Sequence, residues 1–417
     1  MQSNLDPFRP PDLVITNAVV APCVTPRATP GLSAEIRRAT MLVRDGRVVE
    51  VLPASDVRRS WADVAQIDAA GYLVTPGLVD SHTHPVFAGN RADEFERRIA
   101  GEKYLDIAQN GGGILRTVIA TRAASDDELE RLVRGRLARA LSFGITTVEA
   151  KSGYGLDTEN ELRALRVLKR ATSGQPVDVV PTFLGAHVFP REYRHDRAAY
   201  IEKIVKEMIP EIAFDGLAAF CDVFVDDGAF SVDEARTVFA AAARSGLKPK
   251  MHADQLSCTH AAELAAEVGA TSADHLERIS PEGIDALAKA RVVAVLLPGA
   301  ALGPGDHLVA PARKLLAAGV KVAVATDLNP GTSMTENLLL MGSLACMRYG
   351  MSPSEALYAI THAAANAVGL ETRVGSLEAG KEADFVLWGV RSVAELFYHF
   401  GVSHAVRVWK GGREVTF

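Results

Sequence analysis

Through the middle of the chain, short apolar runs rich in β-branched residues alternate with longer stretches whose apolar residues fall at helical spacing. The runs occupy residues 73–82, 145–151, 177–187, 220–225, 249–253, 271–275, 292–297 and 321–327. Helical patterns fill most of the gaps. One across 128–143 stops at Gly144, and one across 261–268 stops at Gly269. Thr158-Glu159-Asn160-Glu161 fits a capping box that opens a helix to about Arg170. Eight strands alternating with helices predict an α/β fold, a (β/α)8 barrel. The rival architecture is an open, doubly wound sheet, and a count of eight favours closure.

Both ends of the chain alternate differently. DLVITNAVV at 12–20 reads as a strand, and MLVRDGRVVEVLP at 41–53 reads as a hairpin about Asp45-Gly46. DFVLW at 384–388 and AVRVW at 405–409 are strands, with Gly411-Gly412 as a turn before REVTF. We expect residues 1–73 and 374–417 to pair into one small β domain around a barrel of residues 74–373. The stretch 85–127 is the longest insertion and holds Gly111-Gly112-Gly113, so part of it is expected to act as a lid.

At 417 residues, 48% hydrophobic and 23% charged, the composition is that of a soluble globular protein with room for a large core. A net charge of −6 argues against a nucleic-acid partner. Cys23, Cys221, Cys258 and Cys346 form no CxxC pair, which argues against a disulfide framework and for a reducing compartment. Residues 1–11 lack the layout of a signal peptide, and no run reaches the ~18 apolar residues of a membrane span. The expected location is cytoplasmic, without a membrane partner.

The ends of the strand candidates are rich in titratable residues, where a barrel of this kind carries its chemistry. The first ends in Asp80-Ser81-His82-Thr83-His84, the second near Glu149 and Lys151, the third in His187 and the fourth in Asp226-Asp227. The fifth gives His252 and Asp254, the sixth Asp274 and His275, and the eighth Asp327. Burying such groups without partners costs several kcal/mol, and a metal ion satisfies several at once. On an extended strand His82 and His84 share one face. The bland reading is a pair of hydrogen-bonded surface histidines, but with His252 and Asp327 they make a metal site. Three imidazoles and a carboxylate suit zinc, iron or manganese.

VTPGLVDSHTH at 74–84 resembles the signature of the amidohydrolase superfamily. KSGYGLDTENELR at 151–163, PTFLGAHVFP at 181–190, MHADQLS at 251–257, ADHLE at 273–277 and ATDLNPGTS at 325–333 are similar to the imidazolonepropionase family within it. The resemblance implies a (β/α)8 barrel with a small β-sandwich from both termini, and a homodimer. It implies one divalent metal, zinc or iron, on His82, His84, His252 and Asp327. It implies substrate contacts at Arg91, Tyr154, His187, Gln255, Asn329, Gly331 and Thr332. The implied small-molecule substrate is 4-imidazolone-5-propanoate, which carries a carboxylate and would open to N-formimidoyl-L-glutamate.

Chemistry then suggests roles. Asp327 can take the proton of an attacking water. His275 either stabilises the oxyanion and passes a proton to the leaving nitrogen, or orients a ligand. His187 either polarises the substrate or does the same. Arg91 suits the propanoate, although beside Arg97 and Arg98 it also reads as a surface residue. Tyr154 between two glycines is a loop contact or a packing aromatic, and the 329–332 segment is by itself only a turn.

Related deaminases carry a glutamate three residues after the fifth-strand histidine. Here Gln255 stands there and cannot shuttle a proton, although adjacent Asp254 keeps that reading open. The alternatives are thus a nucleobase-type deaminase, a hydantoin-type ring hydrolase, or a non-catalytic metal-binding barrel. The last would be marked by loss of a ligand, and none is lost.

Overall fold

The computed structural model describes residues 9–24, 35–56, 61, 63–102, 107, 112–302 and 308–417. Two compact units are formed, one of Met1–Asp80, Ala138–Thr147 and Asn337–Phe417, the other of Ser81–Leu137 and Val148–Glu336.

In the first unit both termini contribute to one sheet. Its path runs from Arg413–Val415 through Ala405–Lys410, Phe385–Trp388, Leu73–Pro76, Leu13–Val20 and Ile36–Arg44 to Arg47–Pro53, with Ala65–Asp68 beside Leu13–Val20. The pairing expected between the chain ends occurs where Phe385–Leu387 lies antiparallel to Val74–Pro76. Asp45 and Gly46 both have positive φ, 51° and 72°, the backbone that the tight hairpin between flanking strands requires. Ile15, Met41, Val43, Phe385 and Trp409 form the core here, and the last two rings stack 4.5 Å apart.

The second sheet holds eight strands in sequence order, Leu78–Asp80, Ile145–Lys151, Asp178–Ala186, Phe220–Val225, Lys248–Ala253, Ser272–His275, Val293–Leu296 and Val322–Val324. From the third strand to the eighth, neighbours pair in parallel. Thr83 bridges Leu328 in parallel, with Asp327 N donating to His82 O at 3.1 Å and His84 N to Leu328 O at 2.9 Å. These bonds join the segments after the first and last strands and close the barrel.

Two expectations are corrected. The run 73–82 is not one strand. Leu73–Pro76 belongs to the terminal sheet and Leu78–Asp80 to the barrel, with the break at Gly77. Every residue of both pieces is buried, so hydrophobicity alone carries no sign of the break. A Cβ at Gly77 would lie 2.2 Å from Thr146 Oγ1, so this crossing needs glycine.

The helix Thr158–Thr172 is also not capped by a box on Thr158 and Glu161. Asp157 is the N-cap, its side chain accepting from Asn160 N at 2.8 Å. The Glu161 carboxylate turns back to the preceding loop. The other helix expectations hold closely, as Asp126–Ser142 and Ala261–Glu267. The expected lid falls in part on residues 103–106 and 108–111, outside the described residues.

Candidate metal and catalytic site

Thr83 is tied to strands on both sides. Besides its bridge to Leu328, its Oγ1 donates to Glu149 O at 2.7 Å and its N to Glu149 Oε2 at 3.3 Å. The flanking His82 and His84 are thereby fixed just past the strand end, on the barrel interior, and are almost fully buried. His82 Nε2 lies 3.2 Å from His84 Nε2, and His252 Nε2 lies 3.4 Å from it. Asp327 Oδ1 is 3.5 Å from both His82 Nε2 and His84 Nε2. Asp327 follows the last strand with φ 51°, a left-handed turn that swings its carboxylate inward. All four expected ligands are thus brought to one point.

The protonation pattern is set by what stands behind each ring. His82 Nδ1 is 2.6 Å from Asp274 Oδ2 and His252 Nδ1 is 3.1 Å from Asp222 Oδ1. A buried carboxylate accepts, so both Nδ1 atoms carry the proton and both Nε2 atoms present lone pairs. His84 Nδ1 has no hydrogen-bond partner. His84 Nε2 therefore either donates its proton to one of those lone pairs or, with the proton on Nδ1, leaves three lone pairs facing one another that a cation would satisfy. In a tetrahedral site with bonds of ~2.1 Å, donor atoms lie about 3.4 Å apart. The separations of 3.2 to 3.5 Å fit that spacing.

Electrostatics agree. Burial holds His82 and His84 well below the usual imidazole range, reinforced by neighbouring His252 and Lys151. Burial raises the Asp327 carboxyl. Behind the ligands, Lys151 Nζ lies 2.8 Å from both Glu149 Oε1 and Asp222 Oδ2. Burial raises Asp222, but His252 and Lys151 outweigh it and hold it well below the ordinary carboxylate range. Lys250 Nζ donates to Ser272 Oγ at 2.6 Å, and Ser272 Oγ reaches Asp274 Oδ1.

Around this centre stand the other expected residues. His275 ends the sixth strand, its ring centroid 5.3 Å from that of His252 and its backbone at φ 81°. Burial pushes it down to about 3, so it is neutral. His187 stacks on His84 at 5.3 Å and Tyr154 lies 5.5 Å from His187. His187 Nδ1 is 3.0 Å from Gly153 O; a carbonyl only accepts, so Nδ1 carries the proton and Nε2 is an acceptor. Tyr154 is buried among His84, Phe87 and His187.

Asn329 Oδ1 accepts from Gly331 N at 2.7 Å and Thr332 N at 2.9 Å, a tight loop that brings Thr332 Oγ1 to 3.4 Å from Asp327 Oδ2. Arg91 is no surface residue. It is 8% exposed, its Nε donates to Glu94 Oε2 at 2.8 Å, and a Cβ on Gly331 would meet its guanidinium at 2.5 Å. Gln255 is only partly buried, and its backbone N–H is held on Asp226 Oδ2.

Sequence reasoning passed over three groups: Asp222, Lys151 as an ion-paired ammonium, and Glu161. Asp222 and Lys151 carried a signal, as charged residues within fully or nearly fully buried strands. The role of Glu161 was masked by its resemblance to a cap residue.

An amidohydrolase family model matches residues 73–415. The chain is 48% identical to an imidazolonepropionase of Geobacillus kaustophilus over 91% of each chain. It is also 48% identical to one of Anaeromyxobacter sp. (strain K), over 97% of this chain and 96% of that one. Among solved structures, a 5-methylcytosine deaminase from Klebsiella pneumoniae aligns with a TM-score of 0.75 at 15% identity, covering 97% of both chains. An adenosine deaminase from Xanthomonas campestris aligns with a TM-score of 0.72 at 20% identity, over 97% of this chain and 93% of that one. At these identities the likeness is one of fold.

Proposed function

The chain belongs to the amidohydrolase family and, within it, to the imidazolonepropionases, and from that premise we propose how its residues perform the reaction. It is a hydrolase acting on a C–N bond in histidine degradation. Water adds to the ring carbonyl of 4-imidazolone-5-propanoate, the ring C–N bond breaks, and N-formimidoyl-L-glutamate is released. The observation that carries the mechanism is that His82, His84 and Asp327 lie within 3.5 Å of one another, with His252 Nε2 3.4 Å from His84 Nε2.

One divalent ion, zinc or iron, would be held by those four side chains. When bound it acts as a Lewis acid toward the carbonyl and makes water nucleophilic near neutral pH. Lys151 is held as an ammonium between Glu149 and Asp222. Asp327 takes the proton of the attacking water, and burial raises its affinity for that proton. His275, neutral, donates a hydrogen bond to the developing oxyanion and relays a proton to the departing nitrogen. His187 presents Nε2 as an acceptor, so it orients a ring N–H and does not polarise the carbonyl. Arg91 binds the propanoate beside the Asn329, Gly331 and Thr332 loop, with Tyr154 and Gln255 against the ring.

Deamination is disfavoured by the fifth-strand loop. Gln255 has no proton to give, and both Asp254 oxygens accept from backbone, Oδ1 from Thr259 and Ala261 and Oδ2 from Ala262. We further take residues 74–373 as the barrel domain, residues 1–73 with 374–417 as the β-sandwich, and the enzyme as a cytoplasmic homodimer without nucleic-acid or membrane partners. Among the described residues no helix is long and apolar enough to cross a membrane.

The test follows loss of ring ultraviolet absorbance when freshly made imidazolone propionate meets the purified protein. Turnover that a chelator abolishes is expected. Turnover that survives complete metal removal would sink the mechanism.

A further inference from the structure

Building on that reaction, we propose that Glu161 is a positioning residue that folds the Gly153-Tyr154-Gly155 loop onto its carboxylate and thereby sets both the place of Tyr154 and the tautomer of His187. Glu161 is completely buried, four positions into the helix Thr158–Thr172. Its Oε2 accepts from Gly153 N at 3.1 Å, and its Oε1 from Gly155 N at 2.7 Å and Leu156 N at 2.8 Å. The Ser152 hydroxyl bonds the same carboxylate. Successive N–H groups aimed at one anion form a nest, and here the anion is part of the chain.

Such a loop has no helix or sheet to satisfy its donors. Gly153 sits at φ 109° and Leu156 at φ 56°, and a Cβ on Gly155 would lie 2.6 Å from Asn160 and Glu161 backbone atoms. The carboxylate supplies the partners that regular structure would have given.

The consequence reaches the site through two groups. The loop carries Tyr154, whose ring packs 5.5 Å from His187 and 6.1 Å from His84. It also carries the Gly153 carbonyl, which fixes the proton of His187 on Nδ1. If the loop relaxes, that carbonyl withdraws and the His187 proton is free to settle on Nε2, turning the substrate-facing nitrogen from acceptor to donor. Glu161 touches neither ligand nor substrate, so its action passes entirely through these two residues.

Glu161→Gln keeps the volume but replaces one acceptor oxygen with an amide that opposes backbone donors. We expect full metal content and roughly ten- to hundredfold lower kcat/KM. In a His187→Ala, Tyr154→Ala background the same change should cost less than threefold, because the side chains it acts through are gone. An unchanged multiplicative loss in that background would overturn the proposal and leave Glu161 a merely stabilising residue.

A measurement on the wild-type protein does not depend on the variant folding. With histidine labelled by nitrogen-15, the His187 ring should show the Nδ1–H tautomer, identified by its absence in His187→Ala. An Nε2–H tautomer would overturn the inference even if turnover is as proposed. Absence of wild-type turnover with the tautomer intact would instead count against the reaction assigned above.

Discussion

A histidine ligand has two nitrogens, and the one facing away decides how well the other binds. Asp222 Oδ1 accepts from His252 Nδ1 at 3.1 Å and from the His252 backbone N–H at 3.2 Å, while Oδ2 accepts from Lys151. Removing this carboxylate frees the ring to rotate and strands a buried ammonium. In Asp222→Ala we expect metal affinity to fall about ten- to hundredfold, read by competition with a coloured chelator. Unchanged affinity would mean that His252 is oriented by packing alone. Arg91→Ala should act elsewhere, raising KM while metal content stays full; equal loss of both would make Arg91 a support for the 329–332 loop.

At this scale the proposed ligands were legible as candidates because histidines and aspartates at the ends of buried apolar runs need polar partners that apolar neighbours cannot supply. Their partners were not. Asp222 lies 30 positions from His252, and only pairing of the fourth and fifth strands brings them side by side. The tautomer of His187 was equally hidden, because it depends on a carbonyl in a loop 34 residues away.

Among the elements, the eight strand candidates were readable because buried parallel strands are near-continuous apolar runs. That same continuity hid the handover at Gly77, where one run serves two sheets. Thr146 Oγ1 would lie 2.2 Å from an added Cβ, within a fully buried strand that has no room to retreat. We expect Gly77→Ala to cost roughly 1–3 kcal/mol of stability, read from the urea midpoint. A midpoint within error of wild type would show that the two strand pieces slide to absorb a methyl group. The helix Thr158–Thr172 gives the complementary lesson. A cap pattern read from four letters assigned Glu161 to the helix, whereas its carboxylate satisfies a loop with more unpaired donors.

On the scale of the whole molecule, the barrel interior presents a problem of charge. Glu149, Asp222, Asp274 and Asp327 are buried together, against the two buried ammonium groups of Lys151 and Lys250. Four carboxylates against two ammonium groups leave two negative charges when all are ionised, since burial keeps His82, His84 and His275 neutral. An uncompensated charge in such a place is strongly destabilising, and burial already raises the Asp327 carboxyl. One divalent ion removes the imbalance; a second would reverse it. The metal is therefore expected to act on folding as well as on chemistry. Stripping it should lower the unfolding temperature, and adding it back at a hundredfold excess over its dissociation constant should restore about 2.7 kcal/mol. Titration should saturate at one ion per chain. Two tightly bound ions would overturn this charge count, and an unfolding curve that ignores the metal would mean that the buried acids are neutralised by protons instead.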